Sequence, residues 1–257
     1  MKKYLRFEIG GKAWQGVIEG EDDTIHVVEG KFWEDPQKTG ETFKLSQIEK
    51  YLPPVEMPSK ILGLGLNYRD HAEEGGHTIP EEPITFFIAQ SALCGHQNPI
   101  VYPSMSKLVE YEAELAIVIG KTADGVSKAD AMDYVFGYTC CNDISARDIQ
   151  RRDKQWSRGK SFKTFKPMGP WIITDVEANA NDITMTFNGE VTQKSNTANL
   201  IFDIPTTIEV LTKTMVLYPG DVIMMGTPGG VRAIHPGDTM RIEIAGIGVM
   251  ENTVVAE

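Results

Sequence analysis

Glu112 and Glu114 stand two positions apart inside the otherwise apolar run VEYEAELAIVIG, residues 109–120. A strand alternates its side chains between two faces. Both carboxylates would then point the same way, on a face shared with Ala116 and Val118, while Ala113, Leu115, Ile117 and Ile119 line the other. Two like charges on a half-buried face repel and lose hydration, so something must compensate them. A solvated strand end or Lys and Arg neighbours would do so, and so would a bound cation. EAELA alone also suits one turn of helix by composition. Asp143, in CCNDISARDIQRRD, follows a strand-like run and opens a helix-like one. It reads either as a helix cap or as a third carboxylate completing an oxygen cage for Mg²⁺ or Mn²⁺. Arg147 and Gln150 follow on one face of that helix. Lys160 lies between Gly159 and Ser161, and Thr227 lies in the loop GTPGGV, which is either a tight turn or a row of N–H groups facing an anion. Together these side chains would offer donors to a carboxylate substrate.

The elements that must position them are mostly strands. Residues 1–55 read as short strands (YLRFEIGG, KAWQGVIEG, TIHVVEGKFW) parted by Gly and by the acidic turn EGEDD. YLPPVEMPSK, with three prolines in ten residues, reads as a stiff connector. The expected division is a small N-terminal β domain over 1–55 and a larger domain over 56–257. In the larger part KILGLGL, ITFFIA, PIVYP, PWIITD, ITMTFNGEV, DVIMMG and TMRIEIAGIGVMENTVV read as strands. SKADAMDY suggests a short helix from Ser127, SARDIQRRDKQ a helix capped by Ser145, and IPTTIEVLTKTM a helix of about three turns by apolar spacing. The fold class expected is α+β, mainly β.

Several motifs fail. GLGLNY has Tyr68 where a dinucleotide fingerprint needs its third Gly, and GKS at 159–161 has Lys154 where a phosphate loop needs Gly. Neither GxSxG nor HExxH occurs. A net charge of −11 lacks the basic footprint of a nucleic-acid binder. Cys94, Cys140 and Cys141 form neither a disulfide framework nor a zinc pattern, which suggests a reduced, cytoplasmic protein. The start, MKKYLRFEIGGKAW, has no apolar leader segment, and no run approaches the roughly 18 apolar residues of a membrane span.

Six blocks in order, GLNYRDHAEE, YEAELAIVIG, GYTCCNDISARDIQRRDKQW, GKSF, GPW and PGDVIMMGTPGGV, resemble the fumarylacetoacetate hydrolase family over residues 59–257. The first 55 residues resemble the small β domain of many short bacterial members. The resemblance implies a mixed β-roll with peripheral helices, usually as a homodimer. It implies Glu112, Glu114 and Asp143 as ligands of Mg²⁺ or Mn²⁺, and Arg147, Gln150, Lys160 and Thr227 as the residues that hold a 2-oxo or enol carboxylate. His71 and Glu74 match a His–Glu pair carried on a mobile lid in the acylpyruvase-like branch, with His77 a second candidate in the same stretch, 67–83. The implied activity is hydrolysis of a C–C bond in an acylpyruvate-type 2-oxo acid. The alternatives are isomerisation of the 2-hydroxyhepta-2,4-diene-1,7-dioate type, decarboxylation of oxaloacetate, or a cation-binding structural protein without turnover. The chain lacks the larger N-terminal domain of fumarylacetoacetate hydrolase itself and shows no counterpart of that enzyme's further Asp ligand, which argues against fumarylacetoacetate as substrate.

Overall fold

A computed structural model describes residues 1–76 and 78–257. The architecture is mainly β with few helices, as the strand-rich pattern implies. Among the described residues one large mixed sheet has twelve strands, and a second sheet has five. At the centre of the large sheet, strand Ala113–Ile119 pairs antiparallel with Val135–Asn142 on one side and Val222–Met224 on the other. Val222–Met224 then pairs in parallel with Ile61–Gly65, and Ile84–Ile88 completes that edge. Toward the other edge, Val135–Asn142 pairs with Lys166–Thr174. That strand accepts Lys2–Ile9, so the N-terminal meander of Lys2–Ile9, Lys12–Glu19, Thr24–Glu29 and Gln37–Lys44 continues the same sheet.

The alternation expected of the central strand is observed. Ala113, Leu115, Ile117 and Ile119 join the core that faces the five-stranded sheet, together with Ile183, Met185, Ile242 and Val254. Ala116 and Val118 belong to a separate cluster on the opposite face, with Phe86, Met168 and Met224. Period-two alternation therefore overrides the local helix propensity of EAELA, because every position of the strand is buried and must satisfy its backbone groups in the sheet.

Helix Ile204–Thr212 forms where the apolar spacing placed it. Asp203 caps it by accepting from the Thr206 N–H at 2.8 Å, and Ile204, Thr207, Ile208, Leu211 and Thr212 form its buried stripe. Two local expectations need correction. Ser127 begins a turn, and only Ala131–Tyr134 closes into a short 3₁₀ segment. Ser145 caps no helix. Ser145–Ala146 pairs with Val109–Glu110, and helix Arg147–Asp153 starts after it. The two-strand bridge uses the backbone that a cap would need, and Asp143 accordingly lies outside any helix, just beyond the end of strand Val135–Asn142. Among the described residues no helix is long and apolar enough to cross a membrane.

Candidate metal centre and cleft

The main-chain ladder carries the carboxylates together. Beyond the last strand pair, Ala113 with Asn142, the Glu112 N–H donates to Asn142 Oδ1 at 2.9 Å and the Asp143 N–H donates to Glu112 O at 2.9 Å. Asp143 is thereby placed against the face that carries Glu112 and Glu114. One oxygen from each of the three carboxylates lies within 4.8 Å of the others, and all three residues are buried.

Cations surround this cluster unevenly. Lys160 Nζ donates to Glu112 Oε2 and Asp143 Oδ2, both at 2.7 Å, and to Ser145 Oγ at 2.8 Å. Its backbone reaches this depth because Gly159 lies tight against Ala146 and Gln150, where a Cβ would sit 3.0 Å from the Ala146 carbonyl oxygen. Arg147 donates from Nε to Glu110 Oε2 at 2.6 Å, from Nη1 to Gln150 Oε1 at 3.0 Å and from Nη2 to Glu112 Oε1. Lys166 Nζ stands 2.8 Å from Asp143 Oδ1. Among the described residues no cation contacts Glu114 in this way: the Gly226 N–H donates to its Oε2 at 2.8 Å. Gly226 turns there with φ of +89° and with Asn67 close enough to obstruct a Cβ.

The ionisation of the three groups follows these contacts. Burial opposes the charge on Glu112, but Arg147 and Lys160 outweigh it and hold the carboxyl well below the usual range. Burial pushes the Glu114 carboxyl far up, and the nearby charges of Asp143 and Glu112 push it further. Burial draws Lys160 down, but Asp143 and Glu112 more than restore it. The cluster thus has room for one more positive charge beside Glu114. In addition, Asp143 Oδ1 is buried without an aligned hydrogen-bond donor among the described residues. An all-carboxylate donor set with these two features fits a hard divalent cation such as Mg²⁺ or Mn²⁺.

A cleft of about 600 Å³ opens on the cluster and is lined by Glu112, Glu114, Arg147, Gln150, Lys160 and Thr227, and also by His71 and Glu74. Of the candidate site residues, Glu112, Glu114, Arg147, Gln150, Lys160, Thr227, His71 and Glu74 therefore meet at this one cavity, and Asp143 lies behind them. His71 and Glu74 come from helix Arg69–Glu74. This helix is seated by Ser195 Oγ, which donates to Asp70 Oδ2 at 2.6 Å, and by the Gly230 N–H, which donates to Glu74 Oε2 at 3.0 Å. His71 Nδ1 lies 4.0 Å from Glu74 Oε2 and has no hydrogen-bond partner among the described residues. His77 lies outside the described residues. The Thr227 hydroxyl accepts from Gln193 Nε2 at 2.9 Å, so the glycine-rich loop turns one N–H toward the protein's own Glu114 and presents Thr227 to the cleft.

Three participants escaped the sequence reading. Glu110 stands in period-two register with Glu112 and Glu114 and pairs with Arg147, a signal that alternation alone contained. Gln193 holds Ala113 and Thr227 at once, and Lys166 reaches Asp143 from a strand far along the chain. Neither shows a local pattern.

Residues 60–255 match the family model described as Fumarylacetoacetate (FAA) hydrolase C-terminal, and residues 2–54 match one described as Rv2993c-like, N-terminal. Among solved structures, 5-carboxymethyl-2-hydroxymuconate delta-isomerase from Mycobacterium smegmatis is 37% identical with a TM-score of 0.92, over 99% of this chain and 100% of that one. The 2-hydroxyhepta-2,4-diene-1,7-dioate isomerase from Mycobacterium marinum is 37% identical with a TM-score of 0.91, over 100% and 99%. The mitochondrial oxaloacetate tautomerase Fahd2a of Rattus norvegicus is 39% identical over 216 residues, 80% of this chain and 69% of the rat protein. With the fold, the buried carboxylate cluster and the family match over most of its length in agreement, the chain belongs to the fumarylacetoacetate hydrolase family of enzymes.

Proposed function

We propose that the chain is a divalent-metal-dependent hydrolase that cleaves a C–C bond in acylpyruvate-type 2-oxo acids, with Glu112, Glu114 and Asp143 holding Mg²⁺ or Mn²⁺. The observation that carries this reading is that one cleft is lined both by Glu112 and Glu114 of the carboxylate cluster and by a His–Glu pair. When bound, the ion would supply Lewis acidity toward the oxygens of a 2-oxo acid and so favour its enolate. The chain's own residues perform the remaining steps. Lys160, Arg147, Gln150 and Thr227 bring positive charge and polar groups to the carboxylate end of the substrate and to the oxo oxygen where charge develops. His71 accepts a proton from the water that attacks the distal carbonyl, and Glu74 steadies the resulting imidazolium. The C–C electron pair passes to the 2-oxo side, and pyruvate leaves as its enolate and is protonated. The short helix that carries His71, docked through Asp70 and Glu74, closes the cleft during this step. A cytoplasmic homodimer belongs to the same reading, and light scattering would show a mass of two chains.

A second reading is favoured by the names of the mycobacterial isomerases and the rat tautomerase. On that reading His71 moves a proton along the enol system and no water attacks. Decarboxylation of oxaloacetate would use the same carboxylate cluster without a base. The discriminating experiment is turnover by metal-stripped protein, with and without added Mg²⁺ or Mn²⁺, on acetylpyruvate, fumarylpyruvate and oxaloacetate. Metal-dependent release of pyruvate with a carboxylic acid supports hydrolysis. Accelerated keto–enol exchange of oxaloacetate without bond cleavage would replace that reading with the second, and pyruvate with CO₂ from oxaloacetate alone would indicate the decarboxylase.

A further inference from the structure

Lys166 is fully buried, a rare state for lysine, and it is not part of the cleft wall. Its ammonium donates to two carbonyls, Ile144 O at 2.8 Å and Phe165 O at 3.0 Å, and stands 2.8 Å from Asp143 Oδ1 in an ion pair. Two carbonyl oxygens and an adjacent carboxylate suit a charged ammonium, which donates and has no acceptor capacity of its own. Lys160 approaches the other oxygen of the same carboxylate. Asp143 is therefore held between two lysines, one that lines the cleft and one sealed behind it. The position of Lys166 is fixed by the sheet, because strand Lys166–Thr174 runs beside Val135–Asn142, with Met168 opposite Cys141.

From this arrangement we infer that Lys166 is a positioning residue and a built-in counter-cation, which makes retention of the divalent ion depend on an anionic chelator in the cleft. The inference rests on the metal-binding reading of Glu112, Glu114 and Asp143. Metal binding requires its carboxylate ligands ionised. Glu110, Glu112, Glu114 and Asp143 then oppose Arg147, Lys160 and Lys166, so four negative charges against three positive ones leave a net −1. A divalent ion turns this into +1 in a buried, weakly screened setting. A 2-oxo acid supplies the anion that removes the excess. Without Lys166 the same groups would carry −2, which the ion alone would neutralise.

The test is a Mn²⁺ titration of the wild-type protein and of Lys166→Met, each with and without oxalate as the probe chelator and corrected for the Mn²⁺–oxalate complex in solution. In the wild type, oxalate is expected to tighten Mn²⁺ at least about tenfold. Lys166→Met is expected to hold Mn²⁺ alone at least about tenfold more tightly than the wild type, and to gain less from oxalate. A folded variant with unchanged or weaker Mn²⁺ affinity would overturn the counter-cation role. Should the variant fail to fold, the wild-type titration still decides, since Mn²⁺ binding indifferent to oxalate would also overturn it. Absence of Mn²⁺ binding in the wild type even with oxalate is a separate outcome that removes the metal-site reading itself.

Discussion

The carboxylates Glu112, Glu114 and Asp143 project from strands and strand ends inside the molecule, whereas His71 and Glu74 project from a six-residue helix at its surface. The first group is buried and crossed by charged contacts from Lys160, Lys166 and Arg147. In the second, the His71 side chain is 26% exposed and Glu74 59%, and the two approach only to 4.0 Å. A group that must hold an ion gains from rigidity, since every misplaced ligand oxygen costs affinity. A group that must take a proton and then return it gains from a seat that can tighten around substrate. The two walls of the cleft therefore predict different responses to substitution.

The largest effect is expected at the rigid wall. Glu114→Gln should lower Mn²⁺ affinity by about 100-fold or more and turnover in parallel, measured by titration and steady-state assay. In the metal-free protein the same change should raise thermal stability. Gln keeps an oxygen to accept from Gly226, and it removes a carboxyl that burial, Asp143 and Glu112 all push toward neutrality. A fall in the melting temperature of metal-free Glu114→Gln would show that Glu114 serves the fold and not an ion.

At the helical wall, His71→Ala should lower turnover at least about tenfold while Mn²⁺ affinity stays that of the wild type, since alanine preserves the helix. Unchanged turnover on every active substrate would sink the His71–Glu74 assignment. Glu74→Gln should lose less, about tenfold or below, because it removes the steadying charge while Gln can still accept from the Gly230 N–H. Comparing the two variants on one substrate measures how far Glu74 acts through His71. A Glu74→Gln loss greater than that of His71→Ala would reverse their order and make Glu74 the base.

The same division explains what the sequence could reveal. The shared face of Glu112 and Glu114 is a period-two property and needs no knowledge of the rest of the chain. The capped helix Ile204–Thr212 is equally local. The meeting of Asp143 with that face depends on the pairing of two strands and on contacts made after the pairing ends, so spacing alone left it open between a cap and a ligand, and family resemblance supplied the choice. Ser145 misled because a two-residue strand pair, decided by Val109–Glu110 from elsewhere in the chain, displaced the cap. Lys166 was invisible for the same reason: FKP carries no signal of burial, and its partner is reached only through the register of neighbouring strands.

The smallest effect expected concerns the scaffold beneath the rigid wall. His96 is buried against Tyr51, and its Nδ1 accepts from the Glu251 N–H at 3.0 Å, an acceptor role that only the neutral imidazole can play. Burial lowers its pKa, and Glu251 restores only part. The unfolded chain therefore binds a proton here before the folded one does, so stability is retained above the ordinary histidine range and declines as pH falls through it. Thermal unfolding at pH 7.5 and 5.5 should show this decline in the wild type and a smaller one in His96→Asn, whose amide oxygen can replace Nδ1 as acceptor. Equal declines would assign the acid sensitivity to other groups. A larger decline in the variant would mean that the protonated imidazole is accommodated in the fold, and the strand scaffold would then be less rigid than its hydrogen bonds indicate.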